Sequence, residues 1–246
     1  MENLKIGDQV LTGDGHYAEV YSFGHKEPST DAHFLQIRSS ETSDPIEITQ
    51  EHMLYVRDVV SQQTKIIAAG SVNVGDTLVT PEGTSKVTSI RTVKLKGVYS
   101  PLTTTGSIVV DGIVASNYVS RAWLPEFIEG KTLHWLQHGA ALPYRLYCKA
   151  KGGCQDETYD EANGFSPWVN FWFGWEAWQM EAHPIIRAFF LAALFVPAVL
   201  AITTGMIMDM AGCDLARQIA LFLVGALLVF KKNQVTAEGE DLKKTA

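Results

Sequence analysis

The sequence predicts an all-β N-terminal half joined to an α-helical, membrane-spanning C-terminal half. Three observations carry that expectation. Residues 4 to 118 break into short runs rich in Val, Ile, Thr, Tyr and Phe, separated by Gly, Asp, Pro and Ser. A Gly-Asp turn followed by a short apolar strand occurs there twice. Beyond about residue 165 the chain turns strongly apolar and aromatic.

The predicted strands are DQVLT, YAEVYSF, FLQIR, PIEIT, MLYVR, TLVT, KVTSI and SIVV. No 3.6-residue periodicity runs through them. The repeat pairs Ile6-Gly7-Asp8 of IGDQVLTGDG with Val74-Gly75-Asp76 of VGDTLVTPEG, and the same offset carries Thr12 to Thr80 and Gly15 to Gly83. Two copies of one β unit predict halves related by a pseudo-two-fold axis.

Residues 119 to 150 read as partly helical, punctuated by Pro125 and Pro143. KGGCQDETYDEANG, residues 151 to 164, is a polar, acidic loop. Trp168, Phe171, Trp172, Phe173 and Trp175 then crowd together, followed by Trp178, a cluster suited to a membrane–water interface. Ala188 to Met208 carries no charge and is long enough for one span of a bilayer. Pro197 and Gly205 within it are tolerated in membrane helices. Ile219 to Phe230 is shorter, and reads as a second span, a re-entrant piece or an interfacial helix. Arg217, Asp214 and Asp209 bar its extension backwards. Residues 233 to 246 form a polar tail. The expected divisions are therefore 1–120, 121–183, 184–232 and 233–246. Arg217 with Lys231 and Lys232 leans toward a cytosolic C-terminus, although a two-span hairpin would put both ends on one side.

The 246 residues carry a formal net charge of −7, with 19 % charged residues and no basic face. That excludes nucleic acid as a partner. The opening MENLKIGDQV is too polar for a secretory leader. Cys148 and Cys154 form either a small disulfide loop or two free thiols. No metal-ligand spacing occurs, so neither a metal nor a cofactor is expected.

ITQEHMLYV places Thr49 and His52 in a T-x-x-H arrangement between two strand-like runs. On its own this is a weak signal. Together with LKIGDQVLTGDG and GVYSPLTTTGSIVVDGIVASNY (residues 97 to 118), it resembles the hedgehog-type Hint autoprocessing domain, a relative of inteins. The three blocks stand in that family's order and spacing, over about residues 3 to 120. The resemblance implies a pseudo-two-fold, horseshoe-like Hint fold. It also implies self-cleavage: a cysteine at the head of the domain attacks the preceding carbonyl, and a second nucleophile resolves the thioester. By resemblance His52 protonates the departing amide, and Thr49 orients the peptide or stabilises the oxyanion.

Two positions depart from the family. His25 stands where animal members carry an aspartate that activates a sterol. It either accepts a proton from water or a lipid alcohol, or is a polar hairpin residue. Asn117 stands where they carry a cysteine. The family's nucleophilic cysteine would precede LKIGD, yet no cysteine precedes Cys148. The expectation is that this polypeptide does not self-cleave as written, being either truncated at an internal methionine or a decayed homologue. The candidate catalytic residues are His52, Thr49 and His25. The expected partners are the chain's own upstream segment, a lipid or sterol alcohol, and an endomembrane or plasma membrane of the secretory pathway. The competing reading is a non-catalytic, membrane-anchored β scaffold.

Overall fold

The computed structural model describes residues 1–120 and 129–181. The expected spans 188–208 and 219–230 lie outside the described residues. Among the described residues no helix is long and apolar enough to cross a membrane.

Nine strands fill the first 119 residues. They are β1 (Gln9–Leu11), β2 (Tyr17–Ser39), β3 (Ile46–Ile48), β4 (His52–Arg57), β5 (Thr64–Ala68), β6 (Thr77–Thr80), β7 (Gly83–Thr103), β8 (Ser107–Val110) and β9 (Ile113–Val119). All pairings are antiparallel, in the order β1-β2-β7-β6-β4-β9-β8, with β3 on β2 and β5 on β4. Three helices follow: α1 (Gly130–Ala140), α2 (Leu142–Lys151) and α3 (Pro167–Glu181).

The structure merges several of the expected short strands. YAEVYSF and FLQIR belong to one 23-residue strand, and KVTSI opens a 21-residue one. Pattern alone hides this, because the connecting residues are polar. Between Lys26 and Gln36 no residue of β2 is buried. From Lys26 to Phe34 β2 and β7 form a two-stranded ribbon, Asp31 facing Lys96 and His33 facing Lys94, before β3 joins at Leu35. Backbone hydrogen bonds to the partner strand hold it, and no apolar face is needed.

The Gly-Asp turns of the internal repeat are reproduced bond for bond. Gly7 N–H donates to Val20 O at 2.8 Å, and Gly75 N–H to Val87 O at 2.9 Å. Val20 N–H donates to Asp8 O, and Val87 N–H to Asp76 O. Asp8 and Asp76 each accept, at 2.8 Å, from the backbone N–H three residues earlier. Gly7 and Gly75 have φ of +97° and +99°, where a Cβ is strained. β1 with β2 and β6 with β7 are therefore two versions of one hairpin, which diverge at the far end, where Leu11 pairs with Tyr17 across a loop and Thr80 pairs directly with Gly83.

A core of Ile37, Ile46, Ile48, Leu54, Val56, Leu78, Val87, Ile108 and Ile113 lies between these hairpins and β4. Met53 and Leu54, successive residues that point to opposite faces, are both fully buried. β4 is thus covered on both sides, and its first residue, His52, is firmly placed.

The compact unit that holds the sheet comprises Met1–His138 and Gly153–Ala182. It includes most of α1, the acidic loop and α3. α2 belongs to a second unit and ends at Gly152, a left-handed residue whose N–H reaches Cys148 O and Lys149 O. Cys148 and Cys154 are both disulfide-bonded.

The matched turns generate a matched prediction. Gly7→Ala and Gly75→Ala should each lower unfolding free energy by about 1–3 kcal/mol, the usual cost of a forced left-handed residue. Urea denaturation of the two variants checks this. Unequal losses would mean that the two turns do not carry equal shares of the fold.

Candidate functional site

Thr49 and His52 are the first and fourth residues of a turn between β3 and β4. His52 N–H donates to Thr49 O at 3.3 Å, which closes the turn. This geometry explains the spacing, because turn ends are brought together. Thr49 Oγ1 lies 2.9 Å from His52 Nδ1. The turn is braced on both flanks. Gly70 N–H donates to Gln50 O at 2.9 Å, and Ser120 N–H to Glu51 O at 2.6 Å.

The other ring nitrogen meets a residue the sequence did not flag. Ser100 Oγ, on β7, lies 3.2 Å from His52 Nε2. Ser100 is also the cross-strand partner of His25 on β2. Thr49, His52 and Ser100 are thus hydrogen-bonded in a row, and the β2–β7 pairing places His25 opposite Ser100. All four residues are half-buried.

The two histidines differ in surroundings. Burial of the His52 ring among protein atoms pushes its pKa down to about 4, against a counter-pull from Glu51 and with a lesser push from nearby His25. His52 is therefore neutral at physiological pH. His25 Nε2 instead lies 3.4 Å from the Glu27 carboxylate.

His25 is also held from outside the sheet. The acidic loop docks onto β2 at this point. Lys26 N–H donates to Gly164 O at 2.8 Å, and Ser166 N–H to Gly24 O at 3.1 Å. The Phe165 ring packs on the His25 ring at 4.4 Å. Gly164 approaches so closely that a Cβ there would lie 2.9 Å from that ring. Ser22 Oγ donates to Glu157 at 2.6 Å, Tyr159 OH donates to it at 3.2 Å, and Phe23 N–H donates to Tyr159 Oη. Burial raises the Glu157 pKa above the usual carboxyl range, and those two hydroxyls oppose the shift.

Beneath α1 lies a second histidine group. His134 Nδ1 is 2.9 Å from Ser116 Oγ, and its Nε2 is 3.4 Å from Tyr55 Oη. His138 Nδ1 is 2.9 Å from Tyr118 Oη, and the two imidazoles stack at 6.2 Å. Burial lowers the His134 pKa to about 4 and raises that of Tyr55 to about 12. Among the described residues no three His, Cys, Asp or Glu side chains converge as metal ligands. Asn117 is buried, and its amide donates to Thr103 Oγ1 at 3.0 Å. It ties β9 to the end of β7 and makes no bond to the His52 group. A cleft of about 650 Å³ between Glu41–Ser43, Thr80–Thr84 and Asp111–Gly112 is lined by none of the candidate residues.

The two depressed histidines set a pH dependence. The unfolded chain takes up a proton at each ring near pH 6.5, while the folded chain resists until about pH 4. Stability should fall as pH drops across that window, by at most about 3 kcal/mol per ring. The raised carboxyls of Glu157 and Asp111 act in the opposite sense. The effect is therefore read by difference. Urea midpoints between pH 7.5 and 4.5 should fall less steeply in His52→Gln and His134→Gln chains than in the parent. Parallel slopes would mean that the rings are not held neutral.

Comparison with known proteins gives these features a family. A family model described as the Hint module matches residues 1–170. Warthog protein 1 of Caenorhabditis elegans is 32 % identical over 123 residues, covering 47 % of this chain and 25 % of the relative. The Sonic hedgehog protein of Danio rerio is 30 % identical over 159 residues, covering 60 % of this chain and 36 % of the relative. The Tiggy-winkle hedgehog protein of Danio rerio is 26 % identical over 201 residues, covering 75 % of this chain and 46 % of the relative. The chain therefore spans less than half the length of each of these relatives. A crystal structure of the gp41-1 intein aligns with a TM-score of 0.38 at 18 % identity, covering 46 % of this chain and 83 % of that one. On the family match, which extends over well more than half of the sequence, the chain belongs to the Hint module family.

Proposed function

We propose that this domain drives protein autoprocessing, cleaving the chain upstream of itself through an N-to-S acyl shift at a cysteine and a thioester. The observation that carries this reading is the neutral, shielded His52 held between two hydroxyls, within a Hint module.

The chemistry follows from the lowered pKa of His52 and from the place of His25 opposite Ser100. A neutral imidazole takes the proton of an attacking thiol. The imidazolium so formed is a strong acid, because burial disfavours its charge, and it hands the proton to the departing amide nitrogen. The C–N bond breaks as the C–S bond forms. Thr49 fixes the ring orientation through Nδ1, as the partner of a catalytic histidine does. In the second step an alcohol or water attacks the thioester. His25, with the Glu27 carboxylate 3.4 Å from its Nε2, takes its proton. The thiolate leaves. His52 thus serves the acyl shift, and His25 the resolution of the thioester.

A membrane location is part of the same proposal. α3 carries Trp168, Phe171, Trp172, Phe173, Trp175 and Trp178, with Phe171 56 % exposed. Such a helix suits the headgroup layer, where ring faces meet lipid and ring edges meet water. That would hold the His25 side of the site close to lipid alcohols.

The test uses the full chain behind a reporter, joined by cysteine-headed spacers of graded length. Hydroxylamine should release the reporter. His52→Ala should slow release by about 10²–10⁴-fold, the usual worth of a proton-transferring group. Thr49→Val should slow it less. His25→Ala should leave hydroxylamine cleavage intact while abolishing release by alcohols or water. Normal release by the His52→Ala chain would defeat the assignment. No release at any spacer length would favour a non-catalytic scaffold.

A further inference from the structure

Ser100 stands in the relation to His52 that an activated hydroxyl has to its base. Its Oγ is 3.2 Å from Nε2, while Thr49 Oγ1 is 2.9 Å from Nδ1. Hydroxyl, imidazole and orienting group come from β7, the start of β4 and the preceding turn, and all three are positioned by backbone pairing. With the ring proton on Nδ1 toward Thr49, the Nε2 lone pair points at the Ser100 hydroxyl. Nucleophile, base and orienter within hydrogen-bond reach is the geometric signature of covalent catalysis. Pro101 follows directly, is buried, and restricts the backbone of Ser100 to extended conformations. Ser100 itself is half-buried, so a small electrophile can reach it.

We propose that Ser100 is an acyl-accepting nucleophile that uses His52 as its base and takes acyl groups from thioesters and activated esters. This rests on His52 being the working proton carrier proposed above, and it needs no upstream cysteine. With a thioester, Oγ attacks the carbonyl carbon and its proton passes to Nε2. The C–S bond breaks, and His52 returns the proton to the departing thiolate. A serine ester remains. Water then attacks that ester, giving its proton to His52. The C–Oγ bond breaks, and Ser100 recovers the proton. Thr49 supplies a hydroxyl where a carboxylate would stabilise the imidazolium more strongly. Turnover is accordingly slow, and stoichiometric labelling is the proper readout.

The experiment treats the full chain with a fluorophosphonate probe and, separately, with an acetyl thioester. Peptide mass spectrometry then locates the adduct. The phosphonyl group should appear on Ser100 with loss of fluoride, and the acetyl group on the same residue. Ser100→Ala should abolish both, and His52→Gln should slow labelling by about 100-fold or more. Ser100→Cys should be alkylated by iodoacetamide faster than Ser43→Cys at an exposed site, with His52→Gln removing the difference. An adduct on another serine would overturn the proposal. So would labelling of Ser100 that is indifferent to His52, or equal alkylation of the two cysteine variants. Cleavage by a cysteine-headed chain without Ser100 labelling sinks this inference alone. Labelling without cleavage sinks the cysteine reading alone.

Discussion

The antiparallel pairing of β2 with β7 is the constraint on which the site depends. It sets His25 opposite Ser100. β7 carries Ser100 to His52, which sits on a different strand, β4. A slip of one residue would turn Ser100 or His25 to the other face of the sheet. The register is secured at both ends by the duplicated turns, where Gly7 and Gly75 lock onto Val20 and Val87. Bulges between Val20 and Ser22, and between Phe23 and His25, absorb the irregularity near the site. Duplication thus does more than build a core. It fixes two long strands at equivalent points, so that residues far apart in sequence meet reproducibly.

That frame gives two histidines different chemistry at close range. His52 has hydroxyl neighbours and little water, so it is neutral and its conjugate acid gives up a proton readily. His25 has the Glu27 carboxylate and the Phe165 face. The first arrangement disfavours positive charge on the ring.

Much of this was legible in the chain. The T-x-x-H spacing is the spacing of a turn, so Thr49 and His52 could be paired from sequence. The repeated Gly-Asp turns announced the duplicated hairpins. Ser100 was not legible, because it meets His52 only through sheet topology, and no local pattern marks a serine on a strand. The continuity of β2 and β7 was hidden for a related reason. Their outer halves pair with each other in solvent, and polar composition there resembles a loop. His134 and His138 passed unnoticed as well, since spacing on a helix does not say what packs beneath it.

The acidic segment shows how composition misleads about proximity. KGGCQDETYDEANG has the charge of a solvated linker, yet Glu157, Tyr159 and Gly164 all bond to β2 around His25. Glu157 carries the cost of this docking. Its carboxyl loses water, and two hydroxyl donors offset only part of that loss. The gain falls to Gly24 and Lys26, whose backbone groups find partners outside the sheet, and to the His25 ring, which acquires an aromatic wall. Charge density along a chain reports how a segment would behave alone. It is silent about a strand edge with unpaired groups, and here such an edge borders His25.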